Sequence, residues 1–214
     1  RSLRRAQRRL PGSPRRTPET SGFDSLLMDW RVPFTTLTIG EEEERAAVRA
    51  IRSGWITAGE EVEAFEREFA QALGVRYAVA VANATGALAL AYDAVGVSDG
   101  QEILMPALTF VAAMNVALRR GERPILVDIV SEDDLTMSPE DLESKITGDS
   151  ALIVTMPYGG FAPDMESINH IARRHDLPLV EDACHAILTP CGGRMIGGWG
   201  DAAVFSFYGN KNMT

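Results

Sequence analysis

The 214-residue chain has only two cysteines, Cys184 and Cys191, and three histidines. Two thiols without a CxxC spacing argue against a disulfide scaffold or a thiolate zinc site, and fit reduced cysteines in a cytoplasmic protein. His170, His175 and His185 do not supply HExxH-type spacing, so no metal is expected. Neither GxGxxG nor GxxxxGK[ST] occurs, which removes the commonest nucleotide-binding loops. No apolar run approaches the roughly 20 residues that a membrane span needs.

What is present is ordinary globular composition, 45% apolar and 24% charged, at a length sufficient for one large α/β domain. The net charge of −9 is unevenly spread. Residues 1–27 carry seven Arg against Glu19 and Asp24, a balance of +5 that leaves −14 for the remainder. So acidic a body argues against nucleic acid as a partner. The arginines are not followed by the apolar core of a signal peptide. Residues 1–27 read as a disordered Arg/Pro-rich extension. It is either a basic arm or, more simply, an upstream extension before a natural start at Met28.

From Thr38 the pattern becomes periodic. Thr38-Ile-Gly-Glu41 resembles a capping box opening a helix over Glu41–Arg52, with Gly54 as its stop. Glu60–Leu73 places Val62, Phe65, Phe69 and Leu73 on one face and ends at Gly74. Short apolar runs then alternate with helices. Strands are expected at Tyr77–Val81, Glu102–Met105, Ile125–Ile129, Leu152–Met156, Leu179–Glu181 and Ala202–Phe207. Helices are expected at Thr85–Val95, Phe110–Arg119, from Ser138-Pro-Glu-Asp141 to Ile146, and at Met165–His175. The runs lack polar alternation, as in strands buried on both faces. The fold class is therefore α/β, a mostly parallel sheet covered by helices on both faces.

Three strand ends share one chemical theme. Small residues in Asn83-Ala-Thr85-Gly86 open a helix whose amides, with the Thr85 hydroxyl, form a phosphate cradle; a tight turn with an N-cap would look the same. Asp182 follows a buried strand and needs a positive partner or hydrogen bonds. The pyridinium nitrogen of pyridoxal phosphate is one such partner, and capping of a following helix is the other reading. His185, one helical turn later, could face the same pocket. The last expected strand carries Ser206 and leads, past a Gly-Asn turn, to Lys211, where a lysine is either a solvated loop residue or a nucleophilic amine. Phe110 could stack on an aromatic ring or be plain core.

Taken in order, Ser53-Gly-Trp-Ile-Thr57, Glu63-Ala-Phe-Glu66, Pro106 to Asn115, Gly121 to Asp128, Tyr158-Gly, Pro163-Asp-Met165, Glu181-Asp-Ala-Cys-His185 and Gly200 to Lys211 resemble the DegT/DnrJ/StrS family of sugar aminotransferases. The likeness covers about residues 31–214, and Phe-Ser-Phe-Tyr-Gly-Asn-Lys is its most specific part. The resemblance implies a fold-type I enzyme using pyridoxal 5'-phosphate, moving an amino group from glutamate to a nucleotide-linked keto sugar. It implies Lys211 as the Schiff-base lysine, Asp182 as partner of the pyridine nitrogen, and His185 as a contact of the phenolic oxygen. It further implies Phe110 as the stacking ring, with Thr85, Gly86 and Ser206 as phosphate ligands. A homodimer is expected, and the Ser-Gly-Trp-Ile-Thr segment suggests the C4-aminating, perosamine-synthase-like branch.

Residues 28–214 would then be the cofactor-binding large domain, incomplete and without the family's C-terminal domain. A non-catalytic or regulatory member is the alternative. So is a cofactor-sharing sugar dehydratase, although dehydratase relatives carry histidine where Lys211 stands.

Overall fold

The computed structural model describes Thr35 and residues 37–214. The expected extension at 1–27, the start at Met28 and the first residues of the large domain lie outside the described residues.

Strand β1 (Glu102–Pro106) is buried along its whole length. It pairs in parallel with β2 (Arg123–Val127) on one side and β3 (Ser150–Thr155) on the other. Beyond β3 come β4 (Leu179–Asp182) and β7 (Ala202–Val204), again parallel, giving the order β2-β1-β3-β4-β7. The unbroken apolar runs follow from this central position, since both faces of each inner strand are covered.

Helices α3 (Ala84–Ala94) and α4 (Ala112–Arg119) cover one face around Leu88, Tyr92, Ala113, Val116, Ile103 and Val180. On the other face α5 (Pro139–Lys145) and α6 (Met165–Arg174) pack on Leu104, Ile153 and Leu179 through Leu142, Ile168 and Ile171. Ser138 caps α5 as expected, its hydroxyl accepting from the Asp141 amide at 3.2 Å. Outside the sheet lie α1 (Glu41–Ser53) and α2 (Glu60–Leu73), each closed by a left-handed glycine, Gly54 and Gly74. Leu73 and Phe69 of α2 are buried, but α1 buries no residue.

Four expectations are corrected. Tyr77–Val81 is not a strand, and Tyr77 and Val79 are 79% and 77% exposed. No described strand lies alongside it, and the Ala80 amide donates instead to the Glu66 carboxylate of α2 at 2.7 Å. Thr38 does not cap α1. The cap is Gly40, whose amide is held by the Glu43 side chain at 2.7 Å. The last strand ends at Val204 rather than Phe207, because Phe205 and Phe207 turn to meet Phe65 and Phe69 of α2 edge-on. No helix follows Asp182; residues 183–189 form turns. A short hairpin of β5 (Pro190–Cys191) and β6 (Arg194–Met195) was not anticipated.

Candidate active site

In the sheet order, β2 lies on one side of β1 and β3 on the other, so connections leave β1 and β3 in opposite directions. That is a topological switch point, and ligands of open parallel sheets bind outside the strand C-termini beside such a point. Apart from Thr85 and Gly86, which open α3 with no described strand before them, the candidate groups leave strands at that end: Phe110 after β1, Asp182 and His185 from β4, Ser206 and Lys211 after β7, with Tyr158 after β3 beside them. The loops after β1 and β3 are tied together. The Thr109 hydroxyl and the Phe110 amide donate to Met156 Sδ at 3.1 and 3.3 Å.

Asp182 is 1% exposed. Its Oδ1 accepts from the Cys184 amide at 3.3 Å, and among the described residues it forms no ion pair. Burial pushes its carboxyl above the usual aspartate range, offset in part by hydrogen bonding from Cys184 and by the charges of His185 and Lys211. A carboxylate so buried is favoured in its charged form by a cationic neighbour. A protonated ring nitrogen fits that requirement.

The Lys211 ammonium lies 5.9 Å from the centre of the Phe110 ring. Its charge also acts on Asp182, Cys184 and His185, and its loop leaves β7, the parallel neighbour of β4, at the end where Asp182 stands. The Gly-Asn turn forms as expected, the Lys211 amide donating to the Tyr208 carbonyl at 2.8 Å. Upstream, α2 anchors the same segment through the phenylalanine cluster. Phe110 is 55% exposed, an open aromatic face rather than core.

His185 is half-buried, with Nδ1 accepting from the Gly159 amide at 3.3 Å and Tyr158 edge-on at 5.4 Å. Burial, then the Lys211 charge, pushes its pKa down, and Asp182 opposes them. It reaches the pocket by way of a turn, not a helix.

The remaining residues are less convergent. Asn83 caps α3 by accepting from the Gly86 amide at 2.8 Å, so that amide is already engaged. Thr85 and Gly86 are exposed at the helix start. Ser206 is half-buried, its hydroxyl accepting from the Tyr208 amide at 3.4 Å. Helix α3 packs on both β7, which precedes Ser206, and β4, which carries Asp182.

Reading the sequence alone missed the support beneath these groups. Glu181 is fully buried and faces away from Asp182, since neighbouring strand residues alternate. Its carboxylate accepts from the amides of Gly197, Trp199 and Gly200 at 2.7, 2.8 and 2.8 Å. Beside it, Asp201 accepts from the Leu179 amide at 2.9 Å and donates its own amide to the Leu179 carbonyl at 2.8 Å. A Cβ on Gly200 would meet that carbonyl oxygen at 2.3 Å. Together these contacts fix β7 against β4, and so Lys211 against Asp182. The signal lay in the sequence as a glycine-dense stretch, 197–200, leading into the last strand.

Among the described residues no group of three or more His, Cys, Asp or Glu could hold a metal ion. Nor is any described helix long and apolar enough to cross a membrane.

Residues 37–214 match the model of the DegT/DnrJ/EryC1/StrS aminotransferase family. The spore coat polysaccharide biosynthesis protein SpsC of Bacillus subtilis is 39% identical over 182 residues, 85% of this chain and 46% of SpsC. Among solved structures, the sugar aminotransferase Spr1654 of Streptococcus pneumoniae in its PMP form superposes with a TM-score of 0.81 at 28% identity, over 86% of this chain and 50% of that one. PseC of Helicobacter pylori, an aminotransferase involved in pseudoaminic acid biosynthesis, superposes with a TM-score of 0.80 at 28% identity, over 85% and 49%. The chain thus spans about half the length of these relatives.

Proposed function

Because the chain belongs to the DegT/DnrJ/EryC1/StrS aminotransferase family, we propose that it holds pyridoxal 5'-phosphate between Lys211 and Asp182 and transfers an amino group from glutamate to a nucleotide-linked keto sugar. The observation that carries this reading is the buried Asp182 carboxylate in the field of the Lys211 ammonium at the C-terminal ends of the neighbouring strands β4 and β7. When bound, the cofactor supplies a ring that accepts electrons from the substrate carbon and ferries the amino group.

Each residue then has a defined task. Asp182 holds a proton on the ring nitrogen, since an ionised carboxylate in this burial needs that cation. Lys211 would hold the cofactor through its aldehyde carbon and, as a free amine, would move the proton at the substrate carbon. Phe110 offers the face on which the ring stacks. His185 contacts the phenolic oxygen. Thr85, Ser206 and the start of α3 take the phosphate. Gly86 contributes close backbone approach there, its own amide being held by Asn83.

SpsC acts in spore coat polysaccharide biosynthesis by its name, which supports a sugar destined for a polysaccharide as the acceptor. Amination at C4, a homodimer and a cytoplasmic location complete the proposal. It is tested by supplying 15N-glutamate and 4-keto sugar nucleotides and following the label by mass spectrometry. Label in a 4-amino sugar nucleotide, lost in Lys211→Ala, supports it. Label only in product aminated at another carbon overturns the C4 assignment. Sugar dehydration without glutamate overturns the transferase.

A further inference from the structure

The Tyr158–Gly160 turn follows β3 and holds two consecutive left-handed glycines, Gly159 at φ 65° and Gly160 at φ 88°. That backbone shape, which only glycine adopts at little cost, turns the Gly159 amide toward the His185 ring. The approach is close on a second side, because a Cβ on Gly160 would meet the His185 carbonyl oxygen at 3.2 Å. Tyr158 closes the ring's flank.

A backbone amide can only donate. Nδ1 must therefore present its lone pair, which leaves Nε2 as the nitrogen that carries the hydrogen. Both alternatives, the Nδ1–H tautomer and the doubly protonated ring, would set two hydrogens against each other. The groups facing the ring divide: the Lys211 ammonium opposes a charged imidazole, while the Asp182 carboxylate favours one. Among the described residues Nε2 has no hydrogen-bond partner.

We propose that the Tyr158–Gly160 turn is a positioning element that locks His185 as a neutral ring with its hydrogen on Nε2, so that His185 meets the cofactor's phenolic oxygen as a single fixed donor. The cofactor-facing half rests on the function proposed above; the lock itself does not. In this arrangement Gly159 acts through His185, and His185 neither gives up nor takes a proton during transfer.

The test is two-bond 1H–15N correlation on the full chain labelled with ring-15N histidine, at neutral pH without cofactor. His185 is assigned by the signal that disappears in His185→Phe. The expected pattern is a bare Nδ1 and a protonated Nε2. A protonated Nδ1, alone or together with Nε2, overturns the lock.

Gly160→Ala should shift His185 toward a mixture of tautomers, and an unchanged single tautomer in the folded variant overturns the role of the turn. Should that variant not fold, the Gly159 amide of His185→Phe replaces it. Its hydrogen exchange should quicken by about tenfold or more as its acceptor is lost, and unchanged exchange overturns the proposal. A locked Nε2–H beside a Lys211 that never captures pyridoxal phosphate would keep the lock and overturn the cofactor-facing half.

Discussion

The Lys211 ammonium and the Phe110 ring stand 5.9 Å apart, although one follows the last strand of the sheet and the other its first. They meet because all the strands between them are parallel and both loops leave the same end of the sheet. A flat ring bound through Lys211 would lie within reach of Phe110.

Phe110→Ala therefore separates binding from folding. Phe110 is largely exposed, so stability should change by less than about 0.5 kcal/mol. Losing an aromatic stack worth about 0.5–1.5 kcal/mol should weaken pyridoxal phosphate retention by about 2- to 10-fold. Denaturant melts and cofactor titration read the two effects separately. A large stability loss with unchanged retention would make Phe110 a core residue.

Glu181 predicts the reverse pattern. Glu181→Ala strips the acceptor from three backbone amides, each unmade buried hydrogen bond costing about 1–3 kcal/mol. Solvent can reach part of the 197–200 loop, so a total loss of about 3 kcal/mol is expected in urea unfolding. Glu181→Gln, which keeps one acceptor oxygen, should lose less. An Ala variant within about 0.5 kcal/mol of the parent would show that the loop is held by something else.

Asp182 sets a pH dependence. Burial holds its native carboxyl above the ordinary 3.8, so between those values the native state binds more protons than the unfolded chain. Unfolding free energy then falls as pH rises through that window. Asp182→Asn removes this loss. Its stability relative to the parent, both without cofactor, should rise from about pH 3.8 upward and level off above the native pKa. Glu181, raised in the same direction, cancels from that difference. A difference independent of pH would contradict the assignment.

Asn83→Ala should cost about 1 kcal/mol through loss of the α3 cap, measured by thermal or denaturant unfolding. A change below about 0.3 kcal/mol would mean that the Gly86 amide finds another acceptor.

Much of this was legible in the chain. The unalternating runs at Glu102–Met105 and Leu152–Met156 announce strands buried on both faces, and Gly54 and Gly74 mark helix ends at their observed places. Tyr77–Val81 misled because its composition is that of a strand, while pairing depends on a neighbour that local pattern does not reveal. The acid at the end of β4 and the lysine after β7 were found because strand ends carry chemistry in such sheets. The Glu181 clamp and the Gly159–His185 contact were not, since both join residues far apart in sequence through backbone amides, which leave no side-chain signature. The cap at Asn83 shows the opposite limit: one short stretch supports both a cap and a cradle, and only geometry assigns the Gly86 amide.

Incubation of the protein with pyridoxal phosphate, borohydride reduction and peptide mass spectrometry test whether Lys211 and Asp182 flank one cofactor molecule. One equivalent of cofactor should be fixed to Lys211, none in Lys211→Ala, with weakened capture in Asp182→Asn. Label spread over other lysines, or capture indifferent to Asp182, would contradict it.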